Sequence, residues 1–172
     1  MSHIPPLQGA FRTDRRAREA YSEAAGIYRI VPMGVAVPVN TGDVEALVRW
    51  AAAAGQPLVP RGAGSAMGGG NVGPGLLVDL TRLTKLPGSI DPSARTLTVG
   101  AGVTLGDVDQ LAAGAGLRLP PDPSSRRWAT AGGSLATNAA GPRSLRYGAM
   151  RQWVERATVV TLTPWPKKPA PV

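Results

Sequence analysis

The chain has no cysteine and only one histidine, His3. The first absence excludes disulfides, thiolate metal sites and cysteine nucleophiles. The second leaves no histidine inside the domain for a metal site, a Ser-His-Asp triad or a general base. No catalytic side chain and no metal ligand is therefore assigned, and any chemistry must come from a cofactor or from another segment. Acidic residues are also scarce, 11 against 19 Lys and Arg, for a net charge of +8 in 172 residues. That balance raises nucleic acid as a partner. Yet Arg12, Arg15, Arg16 and Arg18, and later Arg126, Arg127, Arg143, Arg146 and Arg151, are scattered. No basic run is interleaved with aromatics, so the charge reads as solvated surface plus a few phosphate ligands, and no nucleic-acid partner is expected. Long apolar runs are missing too. Nothing approaches the roughly 20 residues of a membrane span, and MSHIPPLQGAFRTDRR lacks the apolar centre of a secretory signal. A cytoplasmic location is expected.

Glycine (22) and proline (17) are plentiful, without a repeat, and cluster between apolar runs. That pattern predicts a fold with many tight loops. With 43% hydrophobic and 17% charged residues, the chain can build one sizeable domain or two small subdomains sharing an interface.

Residues 12–25 (RTDRRAREAYSEAA) read as a charged helix stopped by Gly26. Val35 and Val37 mark a short strand between Pro32 and Pro38. TGDVEALVRWAAAAG (41–55) is the clearest helix, with Thr41 as N-cap, Asp43 and Glu45 at the positive end of the dipole and Gly55 beyond the last turn. Its Val44, Leu47, Val48 and Ala51 make one apolar stripe. QPLVP is a short strand, then comes the loop RGAGSAMGGGNVGPG, then the strand LLVDL (76–80). RTLTVGAG (95–102) alternates like a strand. TLGDVDQLAAGAG (104–116) is a second helix capped by Thr104. LRLPPDPSSRRW is extended, GSLATNAA opens a helix, and WVERATVVTL (153–162) ends in a β-branched strand before a Pro-rich tail. The order strand, helix, strand, loop, strand places the glycine loop at the carboxyl end of a strand, where ligands bind in such sheets.

PRGAGSAMGGG sets glycines 62, 64, 68, 69 and 70 among Arg61, Ser65 and small residues. Glycine admits positive φ and lets backbone N–H groups approach phosphate oxygens. A Walker A loop needs Gly-Lys-Ser/Thr, and no lysine occurs before Lys85. A Rossmann fingerprint needs glycine at position 67, which is Met67, and a following helix rather than LLVDL. Diphosphate binding and a merely tight connection both remain open for this loop alone. A second small-residue segment, TAGGSLATNAAG, follows, and the pair could hold one ligand from two sides.

Taken together, the motifs DVEALVRWA, LVPRGAGSAMGGG, GPGLLVDLTRL, VGAGVTLGDV, LPPDPSS, TAGGSLATNAAG and SLRYG resemble the FAD-binding domain of the vanillyl-alcohol oxidase/PCMH superfamily. The resemblance is to the branch of D-lactate dehydrogenases, glycolate oxidase flavin subunits and D-2-hydroxyglutarate dehydrogenases. It implies an α+β (α/β) PCMH-type fold with FAD between two α/β subdomains. The implied division is an N-terminal helical extension at 1–34, a first subdomain at 35–90, an incomplete second at 91–162 and a tail at 163–172. Arg61, Gly62, Ala63, Gly64, Ser65, Ala66, Met67 and Gly69 would form the pyrophosphate loop. Gly102 and Val103, then Pro121, Asp122, Ser124 and Ser125, would approach the cofactor. Thr130, Gly132, Gly133, Ala136, Asn138 and Gly141 match the second contacting segment, with Tyr147 and Gly148 behind and Val159 and Val160 on the adenine side. Ala63, Ser65, Ala131 and Ala140 depart from the usual residues, small for small. Covalent relatives carry a histidine in the first loop, so FAD here is expected to be non-covalent. Relatives continue into a substrate domain, which this reading takes as absent, so the chain reads as the front part of a flavin oxidoreductase. A partner chain could supply the substrate or electron-transfer domain. The competing expectation is a small basic module that binds a nucleotide or nucleic acid and catalyses nothing.

Overall fold

The computed structural model describes residues 4–84 and 90–162; His3 and the tail expected at 163–172 lie outside them. One four-stranded sheet organises the first half. It comprises β1 (Ala10–Arg12), β2 (Gly34–Val37), β3 (Leu58–Arg61) and β4 (Leu76–Asp79), in the order β1-β2-β4-β3. β1 runs antiparallel to β2, while β2 and β3 both pair in parallel with β4. The central strand β4 is buried at every position, as expected where a parallel sheet is covered on both faces. Its one acid, Asp79, is buried with the rest.

Helix α2 (Thr41–Ala54) covers one face of this sheet. Its Leu47 is fully buried against Ala36, Leu76 and Val78, and Leu58, Trp50 and Met33 close the cluster. Burying one such leucine contributes about 1.5–3 kcal/mol. The N-cap is Asn40 rather than the expected Thr41: the Asn40 side chain accepts from Asp43 N–H at 2.9 Å. Gly55 ends the helix in the left-handed conformation (φ 61°). Asp43 has more to do than complement the dipole. Its carboxylate accepts from the backbone N–H groups of Gln8, Gly9 and Val39 at 2.9, 3.0 and 3.1 Å. It thus ties the chain entering β1 to the start of α2. Burial opposes the charged form, but these backbone hydrogen bonds outweigh it and hold the carboxyl below its ordinary value.

The helix expected over 12–25 is much shorter. α1 spans only Arg15–Ala20, capped by Asp14, because Arg12 is drawn into β1 and the backbone from Tyr21 on turns back as a hairpin.

No strand forms between residues 90 and 162 among the described residues. This half is built from α3 (Leu105–Gly114), α4 (Ala131–Ala136), α5 (Ser144–Tyr147) and a 3₁₀ turn at Met150–Trp153. Thr104 and Thr130 cap α3 and α4 as side-chain acceptors. Val103, Leu105, Val108, Ala112, Ala129 and Met150 are buried. The strands expected at 95–102 and at the end of 153–162 are absent. Asp91 and Thr96 make one isolated bridge, and Val159 is 64% exposed. A strand needs a continuous neighbour to take its N–H and C=O groups, and among the described residues segment 95–102 has only scattered backbone bonds, such as those from Thr96 to Asp91 and, at its end, from Gly102 to Leu83 and Gly132 to Ala101.

Candidate cofactor site

The glycine loop leaves the sheet at Arg61 and returns at Leu76. Gly64 and Gly69 hold φ values of 74° and 80°, which side chains adopt only under strain. Among the described residues, none of the backbone N–H groups of residues 62–68 donates to another protein group. Unpaired amides in a run are expensive unless water or a ligand accepts from them. An anion is their natural acceptor.

The second small-residue segment meets this loop directly. A Cβ at Gly62 would fall on the Thr130 hydroxyl. Gly102 lies so close to the Leu80 and Thr81 carbonyls, and Gly132 so close to Ala101, that neither admits a side chain. Backbone hydrogen bonds from Leu105 to Ala129 (2.9 Å), Ala131 to Val103 (2.8 Å) and Gly132 to Ala101 (2.9 Å) lock residues 100–105 to 129–132. Gly62, Gly102, Val103, Thr130, Gly132 and Gly133 therefore share one seam between the two halves. Two buried polar atoms, Asn71 Oδ1 and Ser134 Oγ, have no hydrogen-bond partner. The open amides and the side-chain-free approaches fit a large ligand rich in acceptors.

Arg61 is also held by the chain itself. Its guanidinium donates to the carbonyls of Glu23 (2.8 Å) and Tyr21 (3.3 Å), and stands 5.4 Å from the centre of the Tyr21 ring. Burial lowers its pKa, while Asp79 and Tyr21 oppose that shift. The Tyr21 hydroxyl donates to Asp79 at 2.6 Å. Burial, then that hydrogen bond and the Asp79 charge, push the phenol up to about 12. Ala63 is exposed, Ser65 and Ala66 half-buried, and Ala66 accepts from the Asn71 amide at 3.3 Å.

A second group of expected residues gathers further along. Gly141 lies over the Asp122 carbonyl, with no room for a Cβ. Asp122 pairs with Arg126 at 3.4 Å and Arg143 at 3.7 Å, so its carboxylate is already engaged. Pro121 is buried, Ser124 is exposed, and Ser125 closes the turn that leads to Ala129. Asn138 takes positive φ (49°) and accepts from Arg151 N–H at 3.1 Å, and Ala136 beside it is exposed. Tyr147 has Arg118 and Arg146 at 5.1 and 5.3 Å from its ring, and these three line a cleft of about 420 Å³ with Arg143. The Gln152 side chain packs on Gly148. Val159 and Val160 sit elsewhere, against Glu45, Val48 and Arg49 on α2.

The family described as FAD binding domain matches residues 32–163. The chain belongs to this family. FAD is accordingly its cofactor, and the open amides and the seam suit it. The flavin domain is 41% identical over 132 residues to a D-2-hydroxyglutarate dehydrogenase of Xanthomonas citri pv. viticola, covering 76% of this chain and 28% of that protein. It is 35% identical over 151 residues to a D-lactate dehydrogenase of Archaeoglobus fulgidus, covering 87% of this chain and 32% of that protein. The chain thus spans less than a third of the length of these curated relatives. Among solved structures, an alkyldihydroxyacetonephosphate synthase superposes with a TM-score of 0.70 at 22% identity, covering 83% of this chain and 30% of that one. This likeness shows the fold, an α+β FAD-binding fold of the PCMH type. No helix among the described residues is long and apolar enough to cross a membrane.

Two residues of the site neighbourhood lie outside the sequence motifs, Tyr21 and Tyr28; Asp79 falls inside GPGLLVDLTRL, as the one charge in its apolar run, without a role of its own there.

Proposed function

We propose that the flavin domain serves an oxidoreductase acting on D-2-hydroxy acids of the lactate, glycolate or 2-hydroxyglutarate kind. The run of unpaired amides at residues 62–68 beside Thr130 carries the cofactor part of this reading, and the likeness to D-2-hydroxyglutarate and D-lactate dehydrogenases supports its substrate class. These amides hold the FAD diphosphate, and glycines 62, 64 and 69 keep the approach clear of side chains. Gly102, Thr130, Gly132 and Gly133 bound the cofactor from the second half. Residues 35–90 and 91–162 then act as the two FAD-binding subdomains, after a 1–34 extension. Pro121, Asp122, Ser125, Asn138, Gly141, Tyr147 and Gly148 stand further along the same wall. Bound FAD supplies a hydride acceptor at N5, and the chain's own part is binding and orientation. With no histidine in the glycine loop, attachment is read as non-covalent. Substrate-binding groups come from polypeptide beyond these residues or from a partner chain.

The absorbance spectrum of the purified protein tests this. Flavin bands are expected, with the chromophore released intact by acid. A colourless protein that takes up no added FAD would overturn the reading. Binding that collapses steeply with salt and favours polynucleotides would support the basic-module alternative instead.

A further inference from the structure

We propose that residues 21–30 form a strap that sets the shape of the glycine loop, with Tyr21 and Arg61 as the positioning residues that fasten it. The proposal rests on loop 62–69 being the diphosphate site. The strap precedes the family match, which begins at residue 32.

After α1 the chain folds back on itself. Ile30 N–H donates to Ser22 at 2.9 Å, Glu23 bridges Arg29, and the Arg29 guanidinium pairs with Glu19 at 2.7 Å and Glu23 at 3.3 Å. This hairpin touches the loop at three places. Ala25 N–H donates to the Gly64 carbonyl at 3.0 Å. Gly26 abuts the Met67 carbonyl without space for a side chain. The Tyr28 ring rests on Gly69, where a Cβ would stand 2.6 Å from Cδ2.

Two fastenings hold the hairpin down. Tyr21 donates to Asp79 on β4, and Asp79 is itself fixed by the Thr81 N–H (2.9 Å) and hydroxyl (2.7 Å). Arg61, at the end of β3, donates to the Tyr21 and Glu23 carbonyls. These two residues therefore join the strap to adjacent strands of the sheet.

The consequence for the loop follows from peptide geometry. In a trans peptide the C=O and the next N–H point in opposite directions. Pinning the Gly64 carbonyl to the strap turns the Ser65 N–H away from it. Holding the Met67 carbonyl against Gly26 does the same for the Gly68 N–H. The strap thus orients amides that Arg61 itself does not join, and pre-organised donors bind more tightly than ones that must be ordered on binding.

The test compares FAD affinity and release rate in the full chain with Tyr21→Phe, which removes one hydroxyl, and with Leu47→Ala, a core change remote from the strap. Tyr21→Phe is expected to weaken FAD binding about tenfold through faster release. Leu47→Ala is expected to lower Tm more, yet leave the affinity within about twofold where the protein is folded. In FAD-free protein, Tyr21→Phe is expected to speed hydrogen exchange at the Ala25 amide. Tyr21→Phe and Arg61→Ala combined are expected to lose less than the sum of their separate effects, with Arg61→Lys restoring part of the loss. Unchanged affinity and unchanged Ala25 exchange in Tyr21→Phe would overturn the strap. So would affinity losses that merely track Tm across all variants. Failure of the wild-type chain to take up FAD would instead strike the diphosphate reading, while the Ala25 exchange still reports on the strap.

Discussion

Residues 4–84 and 90–162 have similar loop-rich sequences but different means of cohesion. The first half is a mixed sheet whose parallel strands β2 and β3 pair through the fully buried β4, with α2 laid on one face. The second half has helices and turns around a smaller apolar cluster and no sheet among its described residues. Alternating apolar segments occur in both. They become strands only where another strand lies alongside, so strand propensity is a statement about neighbours as much as about side chains. The two halves meet where backbone touches backbone or a short side chain, at Gly62, Gly102 and Gly132. The proposed ligand site lies on that line of contact rather than inside either half.

The severest break of this arrangement is Gly64→Val. Valine must take φ 74°, and its Cβ would stand 2.6 Å from the Arg61 guanidinium. FAD retention is expected to be lost, as read by the absorbance of the purified variant, with the sheet still present by circular dichroism. Leu47→Ala and Leu105→Ala probe the two cores separately, since both residues are fully buried. Each is expected to cost about 2–5 kcal/mol. Both should shift one cooperative thermal transition; two separate transitions would mean that the halves fold independently. Next comes Asp43→Asn, which weakens a carboxylate accepting three backbone N–H groups outside its own helix. A loss of about 1–3 kcal/mol is expected in urea melts. Because the folded carboxyl lies below its ordinary 3.8, its contribution is complete above that value and fades as pH falls through the lower folded one. The Asn variant should lack that part of the acid slope. The smallest effect is alkaline. The folded phenol of Tyr21 is raised from 10.0 to about 12, so its stabilisation is complete below pH 10.0 and disappears as pH rises to about 12. Subtracting the melting curve of Tyr21→Phe should isolate this loss.

Much of the first half was legible in the sequence because local signals and tertiary partners agree there. The stripe Val44, Leu47, Ala51 with Gly55 after it marks α2, and the apolar runs around Val35, Val59 and Leu77 mark three strands. The loop's place at the end of β3 was equally readable. RTLTV and ATVVT misled because alternation was read without a partner strand. Arg61 shows another limit: a cation beside a glycine loop suggests phosphate, and nothing local reveals that carbonyls 38 and 40 residues away also accept hydrogen bonds from it. The contacts of Tyr21 with Asp79 and of Tyr28 with Gly69 were invisible for the same cause, being set by where β1 and the hairpin deliver the chain.

The narrow glycine approaches along the seam carry a thermodynamic consequence. Where Gly62 meets Thr130 and Gly102 meets Leu80, no side chain can grow to improve the fit, so cohesion there cannot be raised by better packing. In the proposed arrangement, a flavin lying across both halves would supply what the polypeptide cannot, acting as a removable third wall. Stability then depends on the supply of cofactor by mass action, rising about 2.7 kcal/mol when free FAD reaches a hundred times its Kd. The melting temperature of this domain becomes a gauge of the flavin available to it.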